Sequence, residues 1–114
     1  MREITKLVVG AFMDRRSKKL SNTETDGETL WLHNNAIARW KYNIRNNVYA
    51  LEVSFAGWPT ATTRERLNGL PNVHVFQRDH EQYLNGVKLD WDGLRDWHEV
   101  LEWHKHEVPA HRGY

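Results

Sequence analysis

Cysteine is absent from this chain, which excludes a disulfide framework and any thiolate metal site. It also fits a reducing compartment, with stability left to packing alone. Long hydrophobic runs are missing too. The longest apolar stretch near the start, Leu7 to Met13, is far too short to span a bilayer, and no small-residue cleavage site follows it. Neither secretion nor a membrane partner is expected. The serines, Ser17, Ser21 and Ser54, sit in no Gly-x-Ser-x-Gly elbow, and no glycine-rich phosphate cradle occurs.

What is present is enough to fold. A length of 114 residues suits a single domain over 1–114, and 39% hydrophobic residues with six Trp, four Tyr and three Phe lie far from the composition of disordered chains. The net charge of +1 is unevenly placed: residues 1–20 carry +4, 21–30 carry −3, 31–78 carry +4 and 79–107 carry −5. Two outcomes follow. Either the segments separate in space and a basic face meets a nucleic acid or an acidic protein, or they neutralise one another across the fold.

The pattern predicts an α+β fold. Ile4, Leu7, Val8, Ala11 and Phe12 form one helical stripe; Gly10 and the β-branched neighbours keep a strand open as the alternative. Residues 14–27 read as a polar loop. Leu30–His33 and Ala36–Tyr42 around Asn34-Asn35 read as a hairpin, and Val48–Phe55 after Asn46-Asn47 as a third strand of an antiparallel meander. Thr62-Thr63-Arg64-Glu65 has capping-box spacing for a short helix ending near Leu67, with Asn68-Gly69 as a left-handed stop. A strand at Val73–Arg78 and a hairpin about Asn85-Gly86 follow. Leu94, Trp97, Val100, Leu101 and His104 fall at helical spacing after Asp92, so a closing helix is expected over 94–106, with a frayed tail over 107–114.

Seven histidines invite a metal reading. The spacing opposes it: His98, His104, His106 and His111 lack the i, i+4 pairing that points two imidazoles at one ion. No metal or other cofactor is expected. His33 or His74 with Asp26 or Glu52 is the remaining acid–base option, without a motif to support it.

Binding residues are easier to nominate. Arg15, Arg16, Lys18 and Lys19 form a basic run suited to phosphates, or a solvated loop. Around the helix start, Trp58, Thr62, Arg64 and Arg66 offer hydroxyl, aromatic and guanidinium groups, or simply a cap with solvated arginines. Trp31, Trp40 and Trp58 are placed as core packing groups. Trp91, Trp97 and Trp103 cluster near the acidic end of the chain, and Trp103, off the helical stripe, is the first candidate for an exposed contact.

Several words of the sequence are familiar as well: Asn22-Thr23-Glu24-Thr25-Asp26-Gly27, Leu32-His33-Asn34-Asn35-Ala36-Ile37-Ala38, Ala56-Gly57-Trp58-Pro59-Thr60, Thr62 to Asn68, and Tyr83-Leu84-Asn85-Gly86 ending at Trp91-Asp92-Gly93. Over residues 4–93 the chain resembles small proteins of unassigned function encoded by tailed bacteriophages, with the segment after Gly93 as a departure. The resemblance carries no catalytic residues. It implies a phage accessory protein in the host cytoplasm that binds a host protein or nucleic acid, a host-takeover or anti-defence inhibitor being one form. A nucleic-acid-binding module, a minor virion component and a small enzyme are the alternatives, and a Trp-rich C-terminal segment makes a homodimer a reasonable further expectation.

Overall fold

The structure, a computed structural model, describes residues 2–104. The expected tail at 107–114, the end of the expected closing helix, and His106 and His111 lie outside the described residues. Within them the fold is α+β with a strand-rich core.

The first stripe forms the helix α1, Glu3–Met13, which buries Val8, Val9, Ala11 and Phe12 together with Thr5. Its N-cap, Arg2, has no side-chain cap bond; the Arg2 amide donates to Glu65 Oε2 at 3.3 Å instead. The helix ends in a Schellman pattern, with the Arg16 amide on Ala11 O at 2.8 Å and the Arg15 amide on Phe12 O at 3.1 Å. Arg15 therefore occupies the left-handed position (φ 61°) where glycine is usual.

The polar segment expected to be a loop contains two short strands, β1 Lys18–Leu20 and β2 Thr23–Thr25. Thr23 and Thr25 are β-branched and buried, and Thr25 Oγ1 donates to Thr29 O at 2.7 Å. A hydroxyl with a partner can join a core, which polarity alone conceals. Next come β3 Thr29–Leu32, β4 Asn35–Asn43 and β5 Val48–Val53. The β3–β4 turn is centred one residue earlier than expected, on His33-Asn34, both left-handed (φ 50° and 66°) as a two-residue hairpin turn requires.

Helix α2 spans Ala61–Leu67, and its cap is Thr60, not Thr62: Thr60 Oγ1 accepts from the Thr63 amide at 3.1 Å. Asn68 is right-handed, so the expected left-handed stop is absent there; Asn68 instead exchanges two side-chain bonds with the Val75 backbone at 2.9 and 2.7 Å. A separate antiparallel sheet follows, made of β6 Val75–Arg78, β7 Glu81–Leu84 and β8 Val87–Leu89. Left-handed pairs at Asp79-His80 and Asn85-Gly86 turn its two hairpins.

The closing helix does not form. His98–His104 is a strand, β9, antiparallel to β5, and the main sheet runs β1-β2-β3-β4-β5-β9. Leu101 faces Leu51 while Glu99 faces Glu52, so Val100 is an extra residue at a bulge. That insertion breaks the period of two and gives the apolar residues a helix-like spacing in sequence.

Beneath the main sheet a buried cation ties three elements together. Arg66 is 1% exposed and donates to Thr23 Oγ1 at 2.9 Å, Thr5 Oγ1 at 3.0 Å and Glu65 Oε1 at 2.6 Å. Thr5 in turn donates to Glu65. Burial pushes the Glu65 carboxyl upward, but the bonds from Thr5, the Arg2 amide and Arg66, with the Arg66 charge, outweigh it and hold Glu65 below its ordinary value.

Candidate functional site

The β3–β4 turn, the segment after β5 and the start of α2 converge on a cleft of about 240 Å³. Leu32, Ile37 and Phe55, all buried, make its floor. His33, Asn35, Thr60, Thr63 and Trp58 line the rest. Thr60 and Thr63 satisfy each other, their hydroxyls 3.0 Å apart. His33 Nε2 lies 3.5 Å from Asn22 Nδ2, while the half-buried Asn35 carboxamide makes no hydrogen bond among the described residues.

Trp58 stands at the mouth, 60% exposed. Two consecutive left-handed residues, Ala56 (φ 54°) and Gly57 (φ 79°), reverse the chain just before it, and its amide closes the turn on Phe55 O at 2.9 Å. The expectation that Trp58 packs in the core is thereby corrected. Beside it, the Gly57 amide bonds Leu94 O at 2.9 Å, the Arg95 methylenes lie over Gly57, and the Arg95 guanidinium sits 5.4 Å from the Trp91 ring centroid. Trp91 is 65% exposed. Two open tryptophans thus project from segments that are hydrogen-bonded together.

The model of one protein family, described as the Kyanoviridae Gp96 protein, matches residues 1–105. The chain belongs to this phage family. No curated protein and no solved structure matches it. The family match runs through β9 and so includes the segment that the sequence set apart after Gly93.

In this Kyanoviridae Gp96 family member the nominated contacts part company. Arg15 is 4% exposed: it donates to Gly27 O at 3.0 Å, pairs with Glu28, and lies 4.8 Å from the Tyr49 ring centroid. Arg66 is buried as described. Their burial removes both from the solvent contacts. Arg64 is half-buried, donating to Pro59 O and Gln82 Oε1 at 3.0 Å and to Gln77 Oε1 at 3.2 Å. Arg16 pairs with Asp14 at 3.3 Å. Lys19 is exposed, and Lys18 and Thr62 are half-buried. Trp97 is half-buried beneath Arg39, whose guanidinium is 4.0 Å from its ring centroid. Trp103, expected to be exposed, packs on the core with its ring centroid 5.2 Å from that of Trp40.

His33 and His74 are not hydrogen-bonded to Asp26 or Glu52 among the described residues. Asp26 accepts from the amides of Glu28 and Thr29 at 2.8 and 2.9 Å, and Glu52 accepts from Arg39 at 2.7 Å. No group of three or more metal-ligating side chains occurs among the described residues, and no helix there is long and apolar enough to cross a membrane. On the outer sheet face, the β9 bulge places Glu99 and Glu102 beside Glu52. Desolvation, then the Glu102 and Glu52 carboxylates, raise the Glu99 carboxyl above its ordinary value.

The sequence reading missed Asn35, Phe55 and Trp91 as site residues. Asn35 was hidden as a turn residue; Trp91, beside Asp92-Gly93, carried the one usable signal, a large aromatic in a loop.

Proposed function

We propose that this protein is a phage accessory protein that acts by binding a host or phage protein in the host cytoplasm, and that Trp58 with the cleft it lines, together with Trp91 on the neighbouring segment, forms the contact surface. The observation that carries this reading is the exposure of Trp58, at 60%, on an apolar cleft, with Trp91, 65% exposed, on the segment hydrogen-bonded beside it. Tryptophan is the residue most enriched where a few side chains dominate an interface, and such side chains work in desolvated pockets. Inhibition of a host process, including a defence system, is the form of action consistent with a binder that carries no catalytic motif.

The nucleic-acid reading is less favoured. It drew on six basic side chains, of which Arg15 and Arg66 are buried and Arg64 and Arg16 already serve carbonyl, carboxamide or carboxylate partners. Lys18 and Lys19 alone would give a log affinity against log salt slope of about −2 or shallower.

Affinity capture from host lysate tests the proposal. The native chain is compared with the Trp58→Ala/Trp91→Ala double variant, each with and without nuclease. The expected result is a protein partner retained after nuclease treatment and lost with the double variant. Capture that nuclease abolishes and that the tryptophans do not affect would overturn it in favour of nucleic acid.

A further inference from the structure

The cleft beside Trp58 sets a solvent-accessible carboxamide, that of Asn35, above an apolar floor. From that juxtaposition we infer that it receives a single uncharged apolar side chain from an extended segment of the partner, with Asn35 pairing to the backbone of the inserted residue. The inference rests on the protein-binding reading above and names what that surface grips.

Size comes first. A volume of about 240 Å³ is on the scale of one large side chain, not a helix or a folded edge. Polarity then selects the side chain. The floor is Leu32, Ile37 and Phe55, and the lining holds no Asp, Glu, Lys or Arg, so a charged group entering would lose water without gaining a counter-ion.

Hydrogen bonding fixes what accompanies it. Thr60 and Thr63 are turned toward each other, whereas the Asn35 carboxamide makes no hydrogen bond among the described residues and stays open to an incoming group. A carboxamide carries an acceptor and donors side by side. That pair complements the N–H and C=O of one residue in an extended chain, groups that a helix consumes internally. A nucleobase edge offers a similar pair, but a nucleotide brings phosphate, which this lining has no cation to meet.

The test uses the full chain labelled with nitrogen-15 and four uncomplicated probes: the N-acetyl methylamides of leucine, phenylalanine and lysine, and adenosine. The leucine and phenylalanine probes are expected to shift the Trp58 indole and Asn35 carboxamide resonances in a saturable way, the lysine probe at least about tenfold more weakly, and adenosine not at all. Replacing the probe's N–H by an ester oxygen is expected to weaken binding several-fold, a comparison that needs no variant. Asn35→Leu, close in size, is expected to weaken the methylamides about tenfold and to erase the difference between amide and ester.

Shifts at those groups with adenosine but not with the amides would overturn the inference and mark a nucleobase pocket. Absence of saturable shifts, or unchanged affinity in Asn35→Leu, would overturn it as well. If the probes fail while Trp58-dependent capture persists, the cleft inference falls and the surface reading stands. If the probes bind and capture fails, the reverse holds.

Discussion

The ring of Trp103 lies with its centroid 5.2 Å from that of Trp40, tilted by 34°, and Trp40 is itself stacked on Phe12 at 5.7 Å. The strand β9 is therefore joined to α1 through one aromatic column across β4. Trp103→Ala is expected to cost about 2–3 kcal/mol, the scale of a partly buried large aromatic. Trp58→Ala is expected to change stability by less than about 0.5 kcal/mol, as for a surface position. Urea denaturation of both variants separates the structural tryptophan from the contact tryptophan.

The Arg66 guanidinium joins α1, α2 and β2, through Thr5, Glu65 and Thr23. Removing it leaves the buried hydroxyls of Thr5 and Thr23 without that donor. Arg66→Ala is expected to destabilise by about 3 kcal/mol or more. Arg66→Lys, which keeps the charge but not the fork, is expected to recover less than half of the loss.

Glu99 and Glu65 respond to pH in opposite directions. The Glu99 carboxyl is raised in the folded protein, so its effect is neutral when protonated and becomes unfavourable as pH rises through the raised value. Glu99→Gln is expected to gain stability at pH 7, the gain fading as pH falls below the ordinary carboxyl value of about 4.3. The Glu65 carboxyl is lowered; its stabilisation is present above the ordinary value and is lost as pH falls through the lowered one. Thermal melts of Glu99→Gln and Glu65→Gln across pH 3–8 read both signs.

Two glycines make opposite demands. A Cβ on Gly10 would meet nothing within 4 Å, inside a helix, so Gly10→Ala is expected to stabilise by about 0.5–1 kcal/mol. At Gly27, φ is 93° and a Cβ would lie 2.7 Å from Arg15 O. Because Arg15 also bonds Gly27 O through its own side chain, Gly27→Ala is expected to disturb the Arg15 seat and lower the melting temperature markedly.

Local pattern made part of this fold legible. The α1 stripe, the strand β5 and the Asn85-Gly86 turn follow from period and left-handed propensity, which act within a few residues. The β9 strand was not legible, because its bulge at Val100 imitates helical spacing and because its partner, the edge of β5, lies some fifty residues earlier in sequence. Arg15 and Arg66 look like any surface arginines in sequence; what buries them is Tyr49 and Glu28 in one case, Thr5 and Thr23 in the other. The cleft unites the β3–β4 turn with Phe55 and the α2 start, so Trp58 was nameable as an aromatic but its pocket was not. Hydroxyls that find partners, as at Thr23 and Thr25, defeat a reading in which core means apolar.

On the proposed function, Trp58 meets a protein. A photoreactive benzophenone amino acid at position 58, with the same substitution at Lys18 as comparison, tests it in infected host cells. The expected result is an adduct from position 58 that protease destroys and nuclease does not, and weaker labelling from position 18. No adduct from position 58, together with a nuclease-sensitive adduct from position 18, would contradict it.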